Sequence, residues 1–249
     1  MALKNFKGFF TAKNIAYLAV LLALVIALQA LGGTIAIGVV QLNFTLIPIV
    51  VGAILFGSLV GAFLGFACGV VVLVQVIMGL APFYVVIWAY NPFVTILTCI
   101  VKTTAAGFLA GLVYKLLASK NKLVAVFVAS GLVPVVNTAL FILGCLCMGN
   151  AISVFQGQIE MSGMNIFVFI VVILVTWNFF IEFAVNLLVA PAIHRVVLVV
   201  EKYIGKRYGK KAISPEAEPE NAAETESEPE QSAPETEQDE PAPETEKKE

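Results

Sequence analysis

Residues 14–101 read NIAYLAVLLALVIALQALGGTIAIGVVQLNFTLIPIVVGAILFGSLVGAFLGFACGVVVLVQVIMGLAPFYVVIWAYNPFVTILTCIV. These 88 residues contain no Asp, Glu, Lys, Arg or His. A helix that spans a bilayer needs about 20 mostly apolar residues, so the stretch predicts three complete membrane helices and the start of a fourth. Over the whole chain only 13% of the residues are charged. Ordinary soluble domains carry about 25%, so that class is excluded.

Turn-forming residues place the helix boundaries within this stretch. Breaks are predicted at 32–43, at the Gly57-Ser58 pair, and from Gly79 to the Asn91-Pro92 pair, because Gly, Pro and Asn interrupt helical patterns. The chain after Lys102 completes the fourth helix, and 123–194 has room for two more.

Basic residues predict which ends of the helices share a side of the membrane. Lys and Arg concentrate at the N-terminus, around 115–122 and in 195–211. Because cytoplasmic loops carry an excess of Lys and Arg, an even number of helices should separate these clusters. Four fit between 15 and 116, and two fit between 123 and 194. We therefore predict an all-α membrane protein with six transmembrane helices and both termini in the cytoplasm.

Charge also divides the chain into regions. We predict a cytoplasmic N-terminus (1–14), a six-helix transmembrane domain (15–200), a basic juxtamembrane segment (201–211) and a tail (212–249). The net charge of −2 averages +10 over the first 211 residues and −12 over the tail. The tail is rich in Pro and Glu and has no aromatic residue, so we expect it to be disordered. A solvated extension is its simplest role, and an interaction segment is the alternative.

Two rows of small residues recur at four-residue spacing, which places each row along one face of a helix. Such rows allow close approach of helix backbones in lipid, although small residues are common in all membrane helices. We predict that one row packs neighbouring helices inside the domain: Gly57, Gly61, Gly65 and Gly69. The other, in the first helix, is predicted to be a docking face for a partner: Ala19, Ala23 and Ala27.

Two charged residues, Lys102 and Glu182, lie deep in predicted membrane helices, where a charge is costly and by default marks function. Two interpretations are open: a salt bridge between them, or contact with a polar ligand. Polar neighbours on the same helix faces favour the ligand, because 100° per residue aligns them in stripes. The candidate ligand-binding residues are Asn91, Thr95, Thr98, Lys102, Asn137, Asn178, Glu182 and Asn186.

Aromatic residues at 84, 88, 90 and 177 are expected toward the outer end, and an apolar pocket with a few polar groups is typical of sites for small organic molecules. The sequence has no G-x-x-x-x-G-K-[ST], H-E-x-x-H or G-x-S-x-G motif. We predict no catalytic residue, no metal site, no cofactor and no nucleic-acid partner. The four cysteines lie in apolar runs, and we interpret them as small buried apolar residues.

The chain resembles the substrate-binding S components of energy-coupling factor (ECF) vitamin transporters over about residues 10–200. The resemblance rests on the alanine row, on 42–52 (LNFTLIPIVVG) leading into Phe56 and the glycine row, and on Asn178, Glu182 and Asn186 before Pro191. It implies a non-enzymatic subunit of a bacterial plasma membrane that binds a vitamin or its precursor near the outer surface. The fourth to sixth helices would form the pocket, and 33–42 would cap it.

The resemblance also implies partners. The alanine row would dock on a transmembrane coupling (T) subunit, and two cytoplasmic ATPases would drive the cycle in which the S component topples to release its ligand inside. Asn91, Asn137 and Asn178 are similar to asparagines of the riboflavin-type branch. Lys102 and Glu182 do not map onto that branch, and a zwitterionic or carboxylate-bearing ligand such as folate or pantothenate is the alternative.

Three other functions compete with this interpretation. A self-sufficient secondary transporter would use Lys102 and Glu182 as an ion or proton relay. A membrane-embedded enzyme is disfavoured because no reactive group has a visible base. A structural scaffold would act through the acidic tail.

Overall fold

The computed structural model describes residues 12–32, 36–37, 40–41 and 43–211, with side-chain surroundings for 15–32 and 43–200. The predicted tail, 212–249, lies outside the described residues. The chain divides into two units at Arg207 and Tyr208, and the second is described only as the end of the last helix.

The described secondary structure is almost entirely helical. Its elements are α1 (Ala12–Gly32), β1 (Ala36–Ile37), β2 (Val40–Gln41), α2 (Leu46–Phe56), α3 (Ser58–Ile77), α4 (Pro82–Tyr90), α5 (Pro92–Leu117), α6 (Lys122–Leu146), α7 (Gly149–Gln158), α8 (Ile166–Val168), a π-helical segment (Phe169–Val175) and α9 (Thr176–Lys211). β1 and β2 pair antiparallel. They lie in 33–42, the predicted cap, whose side chains are outside the described residues.

Five continuous helical stretches of the described residues are long and apolar enough to cross a membrane, so the prediction of a helical membrane fold is confirmed. They are Ile15–Gly32, Ser58–Ile77, Pro92–Leu117, Lys122–Leu146 and Ile166–Val200. The expected sixth span is the 11-residue α2, which is about 16 Å long, roughly half the thickness of the hydrocarbon core.

The shortness of α2 is compatible with its surroundings. Leu46, Ile49, Val50 and Ala53 are fully buried, and α2 packs against α1, α3, α5 and α6. A helix enclosed by protein need not match the thickness of the lipid, because neighbouring helices surround it. Both termini can share one side of the membrane only if α2 completes the sixth crossing.

Two predicted loops contain helices. α4 lies within the break expected at 79–91, and α7 lies within the loop expected at 149–164. Pro82 begins α4, and Pro is well suited to the first turn of a helix. One cysteine also differs from its prediction: Cys147 is exposed, whereas Cys68, Cys99 and Cys145 are buried.

α3 and α5 form the most extensive helix pair, and three glycines of α3 lie at their contact. A Cβ added at Gly61 would lie 2.9 Å from the carbonyl carbon of Gly107, and one at Gly69 would lie 2.7 Å from the carbonyl oxygen of Cys99. At Gly65 the nearest atoms belong to the backbone of Thr103. The two backbones are therefore too close to admit side chains at these positions.

Gly57 differs from the rest of its row. It lies between α2 and α3 with φ 97°, and a Cβ there would meet no atom within 4 Å. A positive φ is tolerated by glycine because it has no Cβ. Its inclusion in the packing row is therefore wrong: Gly57 allows the sharp joint that ends α2 and starts α3.

α1 is the least covered of the long helices. In Ile15–Gly32 17% of the residues are buried, against 50% in Ser58–Ile77. Ala19, Ala23 and Ala27 are all exposed. The small-residue row of α1 therefore faces away from the rest of the described protein.

Candidate functional site

A cavity between the helices contains both deep charges. Its walls come from six helices, α1, α3, α4, α5, α6 and α9, from the π-helical segment, and from Asn43 in the segment that precedes α2. The lining residues are Gln29, Asn43, Val72, Tyr84, Lys102, Asn137, Thr138, Phe141, Leu174, Val175, Asn178, Phe179 and Glu182. The centre of a water molecule can move within about 40 Å³ of it, which is room for roughly three waters. A larger ligand requires the walls to separate.

Lys102 enters the cavity from α5. Its side chain is 7% exposed, and its Nζ donates a hydrogen bond of 2.7 Å to the hydroxyl of Tyr84. The ammonium also lies 5.3 Å from the ring centroid of Tyr84 and 5.2 Å from that of Phe141. Aromatic faces attract a cation at this distance, so Tyr84 and Phe141 stabilise the charge without neutralising it.

Glu182 enters the cavity from α9 and is 2% exposed. Its Oε1 accepts a hydrogen bond of 2.8 Å from the backbone N–H of Asn43. No described residue donates a hydrogen bond within 3.5 Å to its Oε2, and the side chain of Asn178 is a neighbouring hydrogen-bonding group. A buried carboxylate oxygen without a donor is costly, because desolvation is not offset. Oε2 is therefore available to a donor group of a ligand.

Lys102 and Glu182 do not form a salt bridge with each other. The ammonium of Lys102 is held by Tyr84, and the carboxylate of Glu182 is held by the Asn43 segment. The salt-bridge interpretation of the sequence is therefore wrong. The cavity instead presents a cationic donor and an anionic acceptor on two different helices, α5 and α9.

Two asparagines add unpaired amide oxygens to the lining. Asn137 on α6 is 6% exposed, and its Oδ1 has no partner among the described residues. The same holds for Oδ1 of Asn178 on α9. An amide can turn over to present N–H₂ in place of its oxygen. Both side chains can therefore meet either donors or acceptors of a ligand.

The other four candidate ligand-binding residues do not line this cavity. Asn91 caps α5 by accepting the N–H of Val94 at 3.2 Å. The hydroxyls of Thr95 and Thr98 donate to main-chain carbonyls one turn earlier in α5, at 2.9 and 2.8 Å. The amide of Asn186 donates to the carbonyl of Glu182 at 2.8 Å.

The position of Thr98 illustrates why a polar stripe need not face a pocket. A Cβ added at Gly144 of α6 would lie 2.6 Å from its Cγ2. Thr98 therefore lies where α5 and α6 pack closely, and its hydroxyl is satisfied by its own helix. Trp177 is likewise outside the cavity, with 68% of its surface exposed.

Sequence reasoning missed a buried polar cluster beside the cavity. Gln29 of α1 and Gln75 of α3 pair reciprocally: Gln29 Nε2 donates to Gln75 Oε1 at 3.0 Å, and Gln75 Nε2 donates to the Gln29 carbonyl at 3.1 Å. Thr45 Oγ1 donates to Gln29 Oε1 at 3.3 Å and also contacts Asn43 Oδ1. Isolated amides inside apolar spans were the available signal, because burial of such groups requires partners.

The π segment brings the last helix to the cavity. Leu174 and Val175 line the wall, and Asn178 and Glu182 follow within two turns. A π turn inserts an extra residue into the helix and so changes which side chains face inward beyond it. The hydroxyl of Thr176 donates to the carbonyl of Val171 at 2.7 Å, five residues back, which matches this wider spacing.

Comparison with known proteins gives one match. A family model described as "ECF transporter, substrate-specific component" matches residues 13–194. These residues include every helix wall of the cavity and the exposed alanine row of α1. No curated protein sequence matches the chain.

Proposed function

We propose a function from one premise: the chain belongs to the family of ECF transporter substrate-specific components. Members of this family are membrane-embedded, substrate-binding parts of a transporter and not enzymes. The finer proposal is that this chain captures a vitamin or vitamin precursor outside a bacterial plasma membrane and releases it inside. A T subunit and two cytoplasmic ATPases would complete the transporter.

One observation carries the proposal: the cavity holds Lys102 and Glu182 apart, each with binding capacity left over. The Glu182 oxygen without a hydrogen bond within 3.5 Å can accept one from an N–H or O–H group of a ligand. Lys102 supplies N–H donors to a ligand carbonyl or carboxylate. A dipolar ligand, with acceptors at one edge and donors at another, therefore fits these two walls best.

Riboflavin is our first proposal for the ligand. Its ring system carries carbonyl acceptors and an N–H group on one edge, and once the walls separate its planar ring would pack against the lining residues Tyr84, Phe141 and Phe179. Asn137 and Asn178 would bind further polar atoms of the ring or side chain. Folate and pantothenate are the alternative, since each brings a carboxylate for Lys102. Asn91, Thr95, Thr98 and Asn186 would contribute only if the walls rearrange around the ligand.

Docking is proposed for the exposed alanine row of α1. Ala19, Ala23 and Ala27 leave a shallow face on a helix of which little is buried. Small residues let a second helix backbone approach closely, and van der Waals packing drives association in lipid. The row therefore suits a helix of the T subunit.

The test begins with the ligand. The full chain is purified in detergent, and co-purified small molecules are identified by mass spectrometry, while added riboflavin is titrated by its fluorescence. We expect Lys102→Ala and Glu182→Gln each to weaken binding at least about tenfold, since each removes a charge-assisted hydrogen bond. Lys115→Ala and Glu160→Gln are matched controls, because both residues are exposed. Unchanged binding in both cavity variants would refute the assignment.

A second candidate function rests on the same two residues. A secondary transporter could use the buried, mutually unpaired Lys102 and Glu182 as a proton relay. Uptake is measured in vesicles with the chain alone and again with T subunit and ATPases. Uptake that follows a proton gradient without ATP would replace the proposal with this candidate.

A further inference from the structure

The buried polar cluster extends the cavity to the first helix. Gln29 is 5% exposed, Gln75 7% and Thr45 is fully buried. These side chains lie in the interior of an apolar protein, where a polar group without a partner is costly. Both Gln29 and Asn43 also line the cavity. The cluster is therefore part of the cavity wall and not an isolated packing feature.

The hydrogen bonds of the cluster form a series that leads to Glu182. Gln75 holds Gln29 by two bonds, at 3.0 and 3.1 Å. Gln29 Oε1 accepts from Thr45, whose hydroxyl also contacts the Asn43 side chain. The backbone N–H of Asn43 then donates to Glu182 Oε1 at 2.8 Å. Four segments distant in the chain are thus linked by hydrogen bonds in a series that ends at the Glu182 carboxylate.

The hydroxyl of Thr45 links Gln29 to Asn43 in this series of hydrogen bonds. It has one proton and lies near two acceptors, Gln29 Oε1 and Asn43 Oδ1. It donates to one of them at a time, so a substitution of Gln29 changes the hydrogen bonding between Thr45 and Asn43 Oδ1. Cys68 Sγ lies 3.1 Å from the same hydroxyl.

We propose that Gln29 and Asn43 are positioning residues of the ligand site, which hold the Glu182 carboxylate so that its second oxygen faces the cavity. Asn43 does this directly through its N–H, and Gln29 does it through Thr45. The proposal rests on the proposed function in taking the cavity as the ligand site. It adds α1 and the segment before α2 to the groups that determine ligand affinity.

Hydrogen–deuterium exchange of the full chain in lipid nanodiscs tests the positioning without any ligand. In Gln29→Met we expect the backbone amide of Asn43 to exchange about tenfold faster, because the segment that carries this amide loses the hydrogen bond from Thr45 to Gln29 that ties it to α1. Gln156→Met is the matched control, since Gln156 is a buried glutamine, 3% exposed, that bonds to the Met164 carbonyl outside the cluster. The double variant Gln29→Met/Gln75→Met removes both amides of the reciprocal pair and should fold even if the single variant does not.

Unchanged exchange at Asn43 in both Gln29 variants would overturn the proposal. Faster exchange spread evenly over all helices would also overturn it, because Gln29 would then act only on global stability. Acceleration confined to the peptide that contains Asn43 would support it.

Riboflavin binding provides the second measurement. We expect Gln29→Met to weaken riboflavin binding about tenfold in the natural sequence but to have no further effect in a Glu182→Gln background. Additive effects in the two backgrounds would overturn the proposal. If riboflavin does not bind the natural chain, the proposed ligand is wrong, and the exchange measurement still decides whether Gln29 positions Glu182.

Discussion

The contact between α3 and α5 makes a sharp prediction about Gly65→Ala. A Cβ at Gly65 would lie 2.6 Å from the carbonyl carbon of Thr103 and 2.9 Å from the Cα of Thr104. Carbon atoms pack at about 3.5–4.0 Å, so the helices must separate by about 1 Å. The atoms concerned are backbone, which cannot turn aside as a flexible side chain could.

The free-energy change follows from three contributions. Overpacking costs about 1–3 kcal/mol. Separation also weakens the bond of 2.7 Å that Thr103 Oγ1 donates to the Gly65 carbonyl, worth about 0.6 kcal/mol in membrane proteins. Alanine regains up to about 1 kcal/mol of helix propensity. The net loss is about 1–3 kcal/mol, or about 3–10 °C in melting temperature for a chain of this size.

The assay is thermal unfolding of the purified protein in detergent, followed by loss of the monodisperse peak in size-exclusion chromatography. Gly157→Ala is the matched control, because Gly157 is an exposed helical glycine whose added Cβ would meet only Ser162 Oγ at 3.7 Å. It should melt at or slightly above the natural temperature. If Gly65→Ala melts as high as Gly157→Ala, the close approach of α3 and α5 is refuted.

Three further predictions concern other parts of the chain. Ala23→Trp should abolish co-purification with the T subunit and leave riboflavin binding intact. Leu188→Trp, at a site that is 77% exposed, should leave both intact, and retention of the subunit by Ala23→Trp would contradict the docking face. Gly57→Ala should lower the melting temperature by several degrees, since a side chain at φ 97° costs about 1–3 kcal/mol, and an unchanged melt would exclude that strain. Removal of 212–249 should leave uptake in a vitamin-dependent strain unchanged, and loss of uptake would favour the scaffold function.

The sequence predicted the helical membrane fold well because that prediction needs only composition and local periodicity. Residues 14–101 lack charge over 88 positions, and helices are the structures that satisfy their own backbone in lipid. The length of α2 was not predictable in the same way. Its apolar residues look like those of a spanning helix, but Gly57 ends it at 11 residues. The neighbouring helices, and not lipid, surround its buried apolar residues.

The candidate site was predicted in part. Lys102, Asn137, Asn178 and Glu182 do lie around one cavity, because deep polar residues avoid lipid and turn toward the interior. Whether they bind a ligand stays a prediction. Thr95 and Thr98 share the stripe of Lys102, but their hydroxyls reach their own helix backbone, an option that a short side chain has and a lysine does not.

The sequence by itself determined that this chain lies in a membrane, where its long helices run, and which charges are buried, since these follow from the cost of placing charge in hydrocarbon. The tertiary structure alone decided that Lys102 pairs with Tyr84 and not with Glu182, and that Gln29 joins the wall of the cavity. Asn43 and Glu182 are 139 residues apart, and Gln29 and Gln75 are 46 apart. Periodicity orients a side chain on its own helix, but hydrogen-bond partners at such separations are set only when the helices pack.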